Sequence, residues 1–283
     1  MITMPLNEWI TLEAFCSSCT IPILYETSEK AGILGTGLLF CLNGHHVVVT
    51  ASHVADEVLG SPDSAGVPVG TGLINDIHPF AGCDVVSPST VKDKDYFDAA
   101  LINLDGSTML QKLKDNFDFL TLDNIAANNE ISSEFLVAGY PDSRAVPLIK
   151  PGTLDKRIII GDFFKFQTQE YRGAIEEHQK ADPRNYIFVS YDTALTSNTG
   201  LQVPAPKLQG ISGCPIWTFV PSKPEQIMWT PRNIIKVAAV EMSCVWGAWI
   251  RGIRWHAVAH AFGHIDKDAK EMLNDKVFGK IQS

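Results

Sequence analysis

The sequence predicts an all-β fold, mainly antiparallel, of the barrel or sandwich kind. Short apolar runs rich in Val, Ile, Leu and Phe recur along the 283 residues, with turn residues between them. One pair, residues 37–50 (GLLFCLNGHHVVVT), meets at Asn43-Gly44. That dipeptide suits the two left-handed positions of a tight hairpin turn. Few stretches carry a helical period, which disfavours a helical or βαβ architecture.

Beyond the hairpin, strands are expected within 99–104, 135–140, 157–166, 186–191, 215–220 and 234–242, each an apolar run. Helices are expected only near the edges. Leu110 to Phe119 can form a short one, and residues 266–281 a terminal one, with Asp266 near its start and Lys280 near its end. Residues 56–74 and 196–207 read as loops, and 167–185 as a polar insertion with a helical turn. A division near 115–130 leaves two halves, 1–120 and 121–283, each with about six strand candidates.

Composition narrows the function. Hydrophobic residues make up 45% and charged residues 19%, an ordinary balance for a chain with a real core. The net charge of −9, with scattered lysines and arginines, argues against a nucleic-acid partner, because phosphate binding needs a positive field. No apolar stretch is long enough to cross a membrane as a helix, so no membrane partner is expected. The N-terminus lacks the basic start and apolar centre of a secretory signal, which points to a cytoplasmic location.

The six cysteines, at 16, 19, 41, 83, 214 and 244, are then expected to be reduced. Cys16 and Cys19 form a lone CxxC without the second ligand pair that a zinc ribbon needs. His256, His260 and His264 recur every four residues and would share one helical face. The interleaved Ala257, Val258, Ala259 and Phe262 favour packing over metal binding, so neither metal nor cofactor is expected. The late tryptophans Trp246, Trp249 and Trp255 read as core or barrel-edge packing.

Three separate features bear on acyl transfer by a serine. That chemistry needs an accessible hydroxyl on a tight turn, an imidazole to take its proton, a carboxylate to orient the imidazole, and N–H groups facing the oxyanion. Ser212 lies between glycines in Gly210-Ile211-Ser212-Gly213-Cys214-Pro215, directly before an apolar strand. His53 follows the apolar strand ending at Thr50, at the rim of a core where its pKa can be tuned. Asp98 immediately precedes another apolar run and can be buried while bonding the histidine. The rivals are weaker. His45 and His46 adjoin the hairpin turn, and Asp95 sits in a solvated charged run with Lys92, Asp93 and Lys94.

Taken in order, these boxes resemble the trypsin-like, or chymotrypsin-fold, serine peptidases. The matching residues are Gly35-Thr36-Gly37, then Thr50-Ala51-Ser52-His53, then Asp98-Ala99-Ala100-Leu101, then Gly210-Ile211-Ser212-Gly213-Cys214-Pro215. The resemblance implies two perpendicular six-stranded β-barrels with the site in the cleft between them. It implies Ser212 as nucleophile, His53 as general base and Asp98 as its orienting acid, with the N–H groups of Gly210 and Ser212 as oxyanion hole. It further implies peptide-bond cleavage through an acyl-enzyme. Val240-Glu241-Met242-Ser243 is the counterpart of the strand that pairs with substrate, which makes Met242 and Ser243 candidate substrate contacts.

The departures are specific. Ile211 stands where digestive members carry an aspartate that pairs with a freed N-terminus, so activation of that type is not expected. Cys214 replaces the second glycine of the serine box, and Val54, not cysteine, follows His53. Restraint by a partner protein or a conformational gate is expected instead. The alternative is a catalytically silent binding module on the same fold. Lys207, before the serine turn, reads as a solvated loop lysine.

Overall fold

The computed structural model describes residues 4–27, 31–69, 77–87, 97–149, 157–175, 182, 184–196, 202–221 and 229–279. Among the described residues the architecture is mostly antiparallel β, as expected, in two curled half-barrel sheets with six helices, one of them C-terminal. This is the two-barrel layout of a chymotrypsin-like fold.

The first sheet holds β1 (Thr20–Glu26), β2 (Ala31–Leu42), β3 (His45–Thr50), β4 (Ala65–Pro68), β5 (Ile77–Pro79), β6 (Asp84–Val86) and β7 (Ala100–Asn103). They lie in the order β5-β4-β1-β2-β3-β7-β6. The expected hairpin is β2–β3, in register from Leu38 opposite Val49 to Leu42 opposite His45. Asn43 (φ 50°) and Gly44 (φ 87°) both adopt the left-handed conformations that such a turn demands.

The second sheet follows α3 (Met109–Asn116), which overlaps the expected helical segment from Leu110 onward. It contains β8 (Glu134–Gly139) and, beyond a separate hairpin of β9 (Ala145–Ile149) with β10 (Arg157–Gly161), β11 (Phe164–Gln169) and β12 (Tyr186–Ser190). A small hairpin, β13 (Ala194–Thr196) with β14 (Gln202–Pro204), precedes β15 (Pro215–Phe219). After the single turn α4 (Pro231–Ile234) come β16 (Ile235–Val245) and β17 (Trp249–Arg254). The strand order is β11-β8-β15-β16-β17-β12.

Alternation along the strands sorts side chains into three cores. Leu38, Phe40, Val47 and Val49 turn one way, into a cluster that also holds Leu136, Trp217 and Val237 of the second sheet. Leu39 and Val48 turn the other way, into the interior of the first sheet with Ile21, Val54 and Ile102. Val137, Ile216 and Ile250 fill the interior of the second. Each side chain of Val47, Val48 and Val49 is fully buried, so β3 reads as a continuous apolar run rather than an alternating one.

Four sequence expectations are corrected. The supposed loop 56–74 begins inside α2 (Ser52–Gly60), whose Val54, Ala55 and Val58 are buried, and continues into β4. Its helical stretch is too short for periodicity to outweigh the following Gly60, Ser61 and Pro62. The loop 196–207 contains β14 and the end of β13. The polar segment 167–185 begins as part of β11. The unexpected α1 (Leu6–Ser18) buries only the narrow stripe Leu12, Phe15 and Cys16.

Helix α5 (Trp255–Phe262) joins the shared core on most of its surface. It packs beside α6 (Lys267–Phe278), where Asp266 caps the N-terminus by accepting a bond from the Asp268 N–H. Lys280 lies outside the described residues. All six cysteines are free, and Cys16 and Cys19 are buried. No described helix is long and apolar enough to cross a membrane.

Candidate active site

Antiparallel pairing brings His53 and Asp98 together. Thr50 at the end of β3 is opposite Ala100 at the start of β7. The chain leaving β3 and the chain entering β7 therefore meet at the same end of the sheet, three and two residues beyond that pair. His53 is the second residue of α2, and Asp98 immediately precedes the buried run Ala99 to Ile102.

The two residues are joined twice. His53 Nδ1 lies 2.9 Å from Asp98 Oδ2, and the His53 backbone N–H donates to Asp98 Oδ1 at 3.1 Å. An aspartate that accepts both bonds fixes the ring's tautomer, with hydrogen on Nδ1 and the Nε2 lone pair free. Asp98 is 6% exposed whereas the histidine side chain is 47% exposed, so the pair points from core to solvent. The Asp98 hydrogen bond raises the His53 pKa against the opposing effect of burial, and the charges of Asp98, Glu241 and Glu57 raise it further.

Ser212 is half-buried on a turn held from both sides. Gly210 (φ 88°) and Gly213 (φ 91°) adopt conformations that residues with a Cβ resist. A Cβ on Gly213 would lie 2.1 Å from the Thr36 carbonyl oxygen and 2.2 Å from Thr50 Oγ1. From β2, the Thr36 N–H donates to the Ser212 carbonyl at 2.8 Å, and Thr36 Oγ1 donates to the Gly210 carbonyl at 3.0 Å. From β16, the Glu241 carbonyl accepts from the Gly213 N–H, and the Glu241 N–H donates to the Cys214 carbonyl, both at 2.8 Å. The N–H groups of Gly210 and Ser212 have no hydrogen-bond partner among the described residues.

Glu241 lies behind this turn and is 1% exposed. Sequence reasoning named its strand but assigned the glutamate no part. Burial pushes its carboxyl up to about 8, while nearby His53 pulls it down, Asp98 pushes it up, and hydrogen bonding with Ser212 lowers it. Its Oε2 is buried without a hydrogen-bond partner among the described residues. Among those residues no hydrogen bond joins Ser212 to His53.

Other candidates are placed more simply. Met242 is packed in the core shared by the two sheets, and Ser243 accepts a bond from Arg251 Nε at 3.0 Å. Burial and the neighbouring Glu241 raise the Cys214 thiol well above its usual range, which leaves it a poor nucleophile. His45 and His46 both contact Asp105 near the hairpin turn. His256 Nε2 is 2.7 Å from Asn185 Oδ1, and His260 stacks edge-on against His264, which lies beyond α5. No metal-binding cluster occurs among the described residues. Trp249 and Trp255 are buried as expected, but Trp246 is 58% exposed, and Lys207 is exposed. Asp95 and its charged run lie outside the described residues.

Two positions that hold the serine turn escaped sequence reasoning. Thr36 carried a signal, since it sits inside the quoted Gly35-Thr36-Gly37 box, but its hydroxyl bridge to Gly210 joins residues 174 apart. Glu241 carried the signal of an acid inside an otherwise apolar strand.

The two half-barrel sheets define a protein of the chymotrypsin-like architectural class. Solved structures with similar chain paths include the thermostable serine protease AL20 from an extremophilic microorganism. It is 11% identical with TM-score 0.43, over 89% of this chain and 98% of that one. The protease Anisep from Arthrobacter nicotinovorans is 15% identical with TM-score 0.43, over 87% and 94%. A structure from work on the coupled folding and binding of the intrinsically disordered Sesbania mosaic virus VPg protein is 14% identical with TM-score 0.43, over 85% and 87%. At these identities no side-chain role is carried over. No protein-family model and no curated protein matches the chain.

Proposed function

We propose that this chain is a serine endopeptidase that hydrolyses peptide bonds through an acyl-enzyme. Ser212 Oγ attacks the substrate carbonyl while His53 Nε2 takes its proton, and the same proton then passes to the leaving amine. Asp98 holds the ring and stabilises the imidazolium. The N–H groups of Gly210 and Ser212 stabilise the oxyanion, and water releases the acyl group by the same base. No cofactor takes part, and the substrate is a protein or peptide.

The single observation that carries this reading is the doubly bonded His53–Asp98 pair, which leaves a half-exposed imidazole with a free Nε2. The serine turn is tied by its backbone to β2, the strand that pairs with the one leading to that histidine. A missing Ser212–His53 bond is compatible with catalysis, because such bonds are often long before substrate arrives.

Ser212→Ala is expected to lower cleavage by about four to six orders of magnitude. A serine-directed phosphonate should label wild type at Ser212 and fail on His53→Ala. Cleavage-site profiling of a lysate, wild type against Ser212→Ala, reads both substrate and activity. Full activity in the Ser212→Ala variant would overturn the assignment.

A further inference from the structure

We propose that the cavity at the seam of the second sheet, which holds Arg254 and Glu170, is a binding site for a free α-amino acid with an apolar aromatic side chain. The site is separate from the serine turn, and it stands or falls independently of the peptidase reading.

The seam is where the two edge strands of the sheet meet. β11 and β12 are the two ends of its strand order. Among the described residues they are joined by the bridge between Glu170 and Val189, and by a bond from the Tyr171 N–H to the Phe188 carbonyl at 2.9 Å. A cavity of about 320 Å³ opens there. Ligand pockets run from about 300 to 1,000 Å³, so this one suits a single small molecule. Ile131, Phe135, Ile187 and Phe188 give it apolar walls, and the two phenylalanines offer ring faces and edges to an aromatic guest.

Strand β8 separates the cavity from the serine turn. At one end of β8, a Cβ on Gly139 would lie 2.7 Å from Cys214 Cβ and 2.9 Å from Ile211 Cγ1. Just before the other end, Ser133 lines the cavity. The rise of a strand puts Gly139 and Ser133 about 20 Å apart.

The charges specify the ligand. Arg254, the last residue of β17, is half-buried. A buried cation is ordinarily paired with a carboxylate. Arg254 makes no ion pair among the described residues. Its Nε donates to the Tyr186 carbonyl at 3.4 Å and one Nη to Asn128 Oδ1 at 3.5 Å. Both bonds are long against the usual length of about 2.9 Å, and the other Nη has no partner among the described residues. Burial lowers the Arg254 pKa, and the charge of Glu170 opposes that fall. Glu170 is thus near enough to act on Arg254 without touching it, and its ion pair is with the exposed Arg172, at 3.9 Å.

A cation and an anion that share one cavity without contact are complementary to a dipolar guest. The carboxylate of an amino acid meets the planar guanidinium fork, its ammonium meets Glu170, and its side chain meets the apolar walls. A plain carboxylate would be repelled by Glu170, and a plain amine by Arg254.

The test is calorimetric titration with L-phenylalanine, 3-phenylpropanoate and 2-phenylethylamine, which present a phenyl ring with both charges, the anion alone and the cation alone. L-Phenylalanine is expected to bind wild type about tenfold or more tighter than either of the others, because each of them leaves a protein charge unpaired. Arg254→Gln should remove its advantage over the amine, and Glu170→Gln its advantage over the carboxylate. Ser212→Ala should bind as wild type does. If Arg254→Gln does not fold, the three ligands on wild type and on Glu170→Gln, whose altered side chain is exposed, still decide the matter.

No saturable binding of L-phenylalanine at millimolar concentration would overturn the site, as would equal affinity for all three ligands. An unaltered preference in Arg254→Gln or Glu170→Gln, or loss of binding in Ser212→Ala, would overturn it too. None of these results touches the peptidase reading, which labelling of Ser212 tests separately.

Discussion

The two sides of the site are organised by different forces. On the first sheet, charge does the orienting: one buried aspartate accepts from both the ring and the backbone of His53. On the second, backbone does most of it: the Ser212 turn is held by two bonds to Thr36 and two to Glu241, three of them main chain to main chain, and by two glycines with positive φ. The histidine is therefore set before substrate arrives, whereas only the main chain of the serine is set.

If charge governs the first side, Asp98→Asn should produce the largest change there. The amide presents a donor where Nδ1–H needs an acceptor, so the ring adopts the wrong tautomer. Peptide cleavage is expected to fall about ten-thousandfold. The pH profile adds a sign. Asp98 raises the His53 pKa, so the wild-type rate should fall with acid at a pH above the ordinary histidine value, and residual activity of the variant should fall at lower pH. An unchanged acid limb would break the contrast.

If backbone governs the second side, Gly213→Ala should be next. Its Cβ would clash with Thr36 and Thr50, at an expected cost of about 3 kcal/mol and with loss of labelling at Ser212. Denaturant unfolding together with phosphonate labelling measures both. The smallest effect is expected for Thr36→Val, which keeps the shape and removes one hydroxyl. That hydroxyl donates to the Gly210 carbonyl and accepts from the Tyr140 N–H. Losing both should cost roughly 1–3 kcal/mol and leave the histidine's titration unmoved. A shifted histidine titration in Thr36→Val would show that the two sides are not independent.

Legibility followed the range of the interactions. The β2–β3 turn was readable because Asn43-Gly44 encodes its own dihedrals. The runs 99–104, 135–140, 215–220 and 234–242 were readable because both faces of their strands are largely buried. Helix α2 was misread from residue 56 onward because its nine residues give only about two and a half turns of periodicity. Helix α1 was missed because it buries a stripe of three residues against partners far along the chain.

What the sequence determined alone was local: which segments extend, where Gly210 and Gly213 free the chain to turn, and which residue types stand ready for acyl transfer. Whether they meet was decided by tertiary structure. Pairing Thr50 with Ala100 unites His53 with Asp98, and main-chain bonds from Glu241 to Gly213 and Cys214 tie β16 to the serine turn. The physical reason is that a hydrogen bond across the fold, and the desolvation that retunes a carboxyl, depend on what lies opposite in space, which no spacing along one chain specifies.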